Sequence, residues 1–135
     1  MLDFKVEAKL ENLPQIADFI SHATQKLGLN ESKGFDVHVA VGEVCENIVR
    51  YSYPEDKKGA IEIECKLKGD DFIVITKYQG KPFNPNSVPP PDINASLEQR
   101  KVGGLGIYFM KSLMDEIKYS FDAKKGNELI IIKKI

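Results

Sequence analysis

Glu43 and Asn47 stand one helical turn apart in the run Val-Ala-Val-Gly-Glu-Val-Cys-Glu-Asn-Ile-Val-Arg-Tyr-Ser-Tyr-Pro that ends at Pro54. A carboxylate there can accept a proton or orient a nucleophile, and a carboxamide oxygen can ligate a hard cation such as Mg²⁺. Tyr51 follows one turn further on. A second run, Val102-Gly-Gly-Leu-Gly-Ile-Tyr-Phe-Met110, is glycine-rich and leads directly into an apolar, helix-like segment. Such a turn presents backbone N–H groups at a positive helix end, where phosphate is favoured. Taken alone, the same glycines also suit an ordinary tight turn.

The elements that must hold these residues are legible from periodicity. Val37, Val41, Val44 and Ile48 recur at helical spacing, so a helix from about Phe35 to Tyr51, opened by Asn30, buries that stripe and leaves Glu43 and Asn47 at its edge. Phe4 to Leu10 alternates as a strand with one solvated face. Asn12 is read as the cap of a first helix, with Pro14 in its first turn, the stripe Ile16, Phe19, Ile20, Ala23, Leu27, and Gly28 as its end. Ile61, Ile63, Cys65 and Leu67 alternate with charges, and a turn at Gly69 to Asp71 leads into a strand that is apolar on both faces up to Tyr78. Gly80 to Lys101 is long and irregular, with three prolines from Pro89 to Pro91, as expected of a functional lid or a disordered segment. Ile107, Met110, Leu113, Met114 and Ile117 make a further helical stripe. Lys118 to Phe121 and Glu128 to Ile132 read as two strands joined by a turn at Lys124 to Asn127. The order of elements implies an α+β fold, a two-layer α/β sandwich with helices on one face of a mostly antiparallel mixed sheet.

Composition narrows the function classes. At 135 residues, with 42% hydrophobic and 29% charged side chains, the chain is expected to form one domain, residues 1–135. A net charge of −1 gives no support for a nucleic-acid surface. No apolar run approaches the ~20 residues of a membrane span, and the first residues are too polar for a secretory signal. Cys45 and Cys65 fall in apolar-periodic segments and are expected as buried free thiols in a reducing cytoplasm. His22 and His38 carry no assigned role, and Glu46 with Arg50 reads as a surface ion pair.

Glu43-x-x-x-Asn47, the strand ending in Gly80-Lys-Pro-Phe-Asn-Pro85, Gly103-Gly-Leu-Gly-Ile107 and Leu113-Met-Asp-Glu116 together resemble the GHKL (Bergerat-fold) ATPases, and among them the bacterial anti-sigma factor serine/threonine kinases of the partner-switching type. The resemblance covers roughly residues 3 to 135. It implies the Bergerat ATP-binding fold, ATP and Mg²⁺ as cofactors, and a cytoplasmic regulator that phosphorylates an anti-sigma-factor antagonist, binds a sigma factor and forms a homodimer. Glu43 matches the general base and Asn47 the Mg²⁺ ligand. Nucleotide contacts are implied for Tyr51, Tyr78, Gly80, Pro82 and Phe83 on one side. On the other they are implied for Gly103, Gly104, Leu105 and Gly106, with Arg100 and Lys101 placed either to meet phosphates or to be solvated.

One position departs from the pattern. The family's adenine-side box reads Asp-x-Gly, its Asp accepting a hydrogen bond from the adenine amino group, and here it is Tyr78-Gln79-Gly80. Losing a charged acceptor costs ~1.5–3 kcal/mol, and a phenol ring also takes up space. Two functions follow: a serine/threonine kinase, or the same fold acting only through protein–protein contact with nucleotide binding impaired.

Overall fold

A computed structural model describes residues 1–53, 59–85 and 104–135. Five strands form one sheet: β1 (Leu2–Glu7), β2 (Ala60–Lys68), β3 (Asp71–Tyr78), β4 (Glu116–Asp122) and β5 (Gly126–Lys134), in the order β1-β2-β3-β5-β4. Helices α1 (Leu13–Lys26), α2 (Glu31–Asn47) and α3 (Gly104–Leu113) complete a two-layer α+β sandwich. Every pairing is antiparallel, which corrects the expected mixed sheet. The reason is the position of β5: β3 and β4 run the same way, but β5 is inserted between them and pairs with both.

Strand alternation decides which residues meet the helices. The register aligns Phe4, Ile63, Thr76, Leu129 and Tyr119 across the sheet on the helix side. Phe4 stacks on Phe19 of α1 with ring centroids 5.2 Å apart. The α2 stripe Val37, Val41, Val44 and Ile48 is buried against Ile61, Ile63, Cys65, Phe72 and Val74. On the opposite face Glu62, Glu64 and Lys77 alternate outward, and Lys5 pairs with Glu62 at 3.2 Å. Both cysteines are free and buried, and burial pushes their thiols up to about 12, so they remain protonated and inert.

Several boundaries differ from the periodic reading. The first strand ends at Glu7 and a single 3₁₀ turn, Leu10–Asn12, follows it. Asn12 occupies the N-cap position of α1 without capping it, because its amide donates back to the Glu7 carbonyl at 3.0 Å. Asn30 does cap α2, accepting from the Lys33 N–H at 2.8 Å, and the helix begins at Glu31 rather than near Phe35. It ends at Asn47 and relaxes into one π-helical turn, Ile48–Ser52. Helix α3 stops at Leu113, so Ile117 belongs to β4, whose approach begins with Asp115 N–H donating to the Ile132 carbonyl at 2.9 Å. The Glu46–Arg50 pair is present at 3.0 Å. The end of the run at Pro54 and most of the proline-bearing stretch, residues 86–103, lie outside the described residues.

Lys133 ties the layers together. Its Nζ donates to the Leu113 carbonyl at the end of α3 at 2.6 Å and pairs with Asp36 of α2 at 3.1 Å, with both side chains largely shielded. A cation there satisfies a terminal helix carbonyl and complements the helix dipole. Lys133→Met is therefore expected to lower stability by about 1–3 kcal/mol in urea denaturation, chiefly by leaving Asp36 unpaired.

Candidate functional site

The π turn shapes one wall of the site. It carries the chain past Asn47 so that the Ser52 carbonyl accepts from the Lys81 N–H at 2.6 Å. Gly80 lies flat against that carbonyl, and a Cβ there would stand 2.5 Å from the Ser52 oxygen. Only glycine fits this approach, which is why the box ends in one.

Glu43 is half-buried on the side of α2 that faces α3, and Asn47 lies one turn further along. A Cβ added to Gly106 would collide with the Glu43 carboxylate, so the missing side chain lets that carboxylate rest on the first turn of α3. Burial, and secondarily the charge of Glu46, raises the Glu43 carboxyl above its ordinary value. Asn47 is buried, and its amide nitrogen donates to the Glu43 carbonyl at 2.7 Å. That bond turns Oδ1 away from the helix backbone, the end a hard cation would use. Among the described residues no group of three His, Cys, Asp or Glu gathers around a metal position, so a cation here would need further ligands from a bound substrate and water.

Beside this polar pair the site is filled. Tyr78 ends β3 with its ring 3% exposed. A cavity of about 10 Å³ remains between Asn47 at the end of α2, Ile48 of the π turn, Tyr78, Phe83 and Ile107, enough for one water at most. Burial drives the Tyr78 phenol well above its usual range, and the Ser52 hydroxyl is its hydrogen-bond partner. Two larger depressions lie elsewhere. One, of about 310 Å³, is on the outer sheet face by Lys5 and Lys77, and one, of about 330 Å³, is between α1 and α2 by Phe35 and His38. Neither includes Glu43 or Asn47.

Tyr78, Gly80 and Phe83 are held in place by polar side chains that periodicity did not single out. Asn127, 1% exposed, donates from Nδ2 to the carbonyls of Tyr78 at 3.1 Å and Gly80 at 2.8 Å. Its Oδ1 accepts from the Tyr119 hydroxyl, which in turn accepts from the Phe83 N–H at 3.2 Å. The Tyr53 hydroxyl accepts from the Gln79 N–H at 2.8 Å and donates to the Ala60 carbonyl at 3.0 Å. The available signal was strand register, which sets Asn127 directly opposite Tyr78. Of the residues expected at the site, Glu43, Asn47, Tyr78, Gly80, Phe83 and Gly106 come together. Tyr51 is 42% exposed and does not line the cavity, and Pro82 is exposed and does not line it either. Gly104 and Leu105 open α3, whereas Arg100, Lys101 and Gly103 lie outside the described residues.

Gly106→Ala tests the α2–α3 approach. The added methyl must push the Glu43 carboxylate off the first turn of α3. The variant is expected to keep its secondary structure by circular dichroism while any activity that needs Glu43 in place falls about tenfold or more.

Comparison with known proteins places this arrangement. Residues 6–133 match the family model described as the histidine kinase-like ATPase domain. The chain is 31% identical to serine-protein kinase RsbW of Bacillus subtilis over 121 residues, covering 87% of this chain and 76% of the relative. It is 31% identical to serine-protein kinase RsbW of Bacillus cereus over 138 residues, covering 99% and 84%. Among solved structures, it superposes on a crystal structure of the RsbU and RsbW domains of a Mycobacterium tuberculosis protein with a TM-score of 0.67 at 17% identity, spanning 99% of this chain and 32% of that one. A histidine kinase domain of a blue-light activated histidine kinase from Erythrobacter litoralis gives a TM-score of 0.58 at 14% identity, over 92% of this chain and 59% of that one. These two likenesses are of fold, which agrees with the two-layer sandwich. The chain belongs to the histidine kinase-like ATPase domain family and, within it, to the group of RsbW serine-protein kinases.

Proposed function

We propose that this protein is an ATP- and Mg²⁺-dependent serine/threonine protein kinase of the anti-sigma type, acting in the cytoplasm, that phosphorylates an anti-sigma-factor antagonist and binds a sigma factor. The observation that carries the reading is the Glu43 carboxylate resting on the first turn of α3, one helical turn from the Asn47 amide, whose nitrogen is tied to the Glu43 carbonyl. Mg²⁺ held by Asn47 Oδ1 would neutralise phosphate charge, and Arg100, Lys101 and the turn through Gly103, Gly104, Leu105 and Gly106 would face the phosphates. Glu43 accepts the proton of the attacking serine hydroxyl as its oxygen bonds to the γ-phosphorus and the bond to ADP breaks. A carboxyl raised above its ordinary value is the stronger base for that transfer once ionised. Glu43, Asn47 and the first turn of α3 are the described groups that support this reading on the phosphate side. The base side, with about 10 Å³ left beside Tyr78, does not fit as it stands.

Asn47→Ala is expected to weaken Mg²⁺-supported ATP binding about tenfold or more and to remove the difference between titrations with and without Mg²⁺. An unchanged Mg²⁺ dependence would remove Asn47 from the metal role. The filled cavity at Tyr78 favours a second reading, a regulator that works through protein contact alone. Under it, partner binding persists in Glu43→Gln and no phosphoryl transfer occurs from wild type at millimolar ATP.

A further inference from the structure

We propose that Tyr78 is an internal occupant of the base end of the site: its ring takes the space between α2, Phe83 and Ile107 that the base of a nucleoside triphosphate would enter, so that nucleotide binds only by displacing it. This rests on the kinase reading and specifies how its substrate is admitted.

The argument is one of place, volume and attachment. The phosphate-side groups, Glu43 and Asn47, are on one flank of α2, and the small apolar cavity beside Asn47 has the Tyr78 ring in its lining. Val44, Ile48, Phe83 and Ile107 supply flat or branched apolar walls suited to a planar heteroaromatic group, and Tyr78 is the planar group now against them. The backbone of the box is fixed at four points: Asn127 to the Tyr78 and Gly80 carbonyls, Gln79 N–H to Tyr53, and Lys81 N–H to Ser52. The Tyr78 ring, by contrast, is held by its packing in the core cluster, with the Ser52 side chain beside its hydroxyl. With the backbone tied, admission of a base requires the Tyr78 side chain to move rather than the strand.

The apparent dissociation constant rises by the reciprocal of the fraction of molecules with the ring displaced. Removing the ring should therefore tighten binding by about tenfold or more, the order that burial of a large apolar side chain corresponds to.

Calorimetric titration of the whole chain with ATP and Mg²⁺ tests this in wild type, Tyr78→Ala and Tyr78→Phe, with Tyr78→Val as a second opening variant that keeps a strand-favouring residue. The expected result is binding tighter by about tenfold or more in Tyr78→Ala or Tyr78→Val, with Tyr78→Phe within about threefold of wild type because the ring remains. Equal affinities in wild type and the opened variants would overturn the proposal and leave the kinase reading standing. A gain in Tyr78→Phe as large as in Tyr78→Ala would also overturn it, by assigning the effect to the Ser52 bond and not to the ring. Absence of binding in folded opened variants would overturn it as well. The kinase reading fails separately, on absence of phosphoryl transfer from every variant at millimolar ATP.

Discussion

Glu43→Gln is expected to lower phosphoryl transfer by about 10²- to 10⁴-fold while leaving the fold intact. The amide keeps the size of the carboxylate and its place on the first turn of α3, but it cannot take the serine proton. Because the side chain is only partly buried, unfolding in urea should change by no more than about 0.5 kcal/mol. The same residue sets the pH dependence. Burial first, and Glu46 second, raise its carboxyl from 4.5, and the base works only when ionised. The acid limb of kcat/KM should therefore lie above 4.5, with activity lost as pH falls through the raised value. Glu46→Gln removes one of the two raising causes and should move that limb to lower pH. Stability runs the opposite way. The folded protein favours the neutral carboxyl, so the Glu43 contribution is present below the unfolded value and is lost as pH rises through the folded one.

Asn127→Ala carries the largest expected effect on stability. The substitution strips the Tyr78 and Gly80 carbonyls of their shared donor and leaves the Tyr119 hydroxyl without its acceptor, around a side chain that is itself 1% exposed. Stranded buried polar groups and the small void together should cost about 2–4 kcal/mol and lower Tm on the order of 10 °C. Asn127→Asp is expected to be no milder, because it keeps the acceptor for Tyr119 but points a carboxylate oxygen at two carbonyls. Tyr119→Phe, which removes one donor and one acceptor while keeping the ring, should cost about 1 kcal/mol. Were Asn127 merely a turn residue, Ala would be tolerated within about 0.5 kcal/mol.

What the sequence disclosed follows from how local each signal is. The α2 stripe of Val37, Val41, Val44 and Ile48 is a period within one element, and it located both the buried face and the edge where Glu43 and Asn47 sit. The Asn30 cap, the Glu46–Arg50 pair and the β2 alternation through Ile61, Ile63 and Cys65 are equally local and stand in the structure, whereas Leu67 at the strand's end is 38% exposed. The misread features depend on distant partners. Asn12 looked like a cap, but the 3₁₀ turn folds its amide back on Glu7. Ile117 continued a helical period, but β4 draws it into the sheet through pairing with Ile131. The mixed sheet was expected because β5 lying between β3 and β4 is a matter of chain order in space, which no local period records. Asn127 meets Tyr78 across 49 positions, so its role at the site depends on strand register and was hidden behind its appearance as part of a hairpin turn. The Tyr78 departure was visible from motif comparison, whereas the closure of the space beside it needed the packed core.

The most direct test of the account is mass spectrometry of an anti-sigma-factor antagonist after incubation with this protein, Mg²⁺ and millimolar ATP. The account predicts one phosphoryl group on a serine with wild type, a faster gain with Tyr78→Ala and none with Glu43→Gln. An antagonist that binds wild-type protein yet stays unphosphorylated under all three conditions would contradict it and leave a protein that regulates by contact alone.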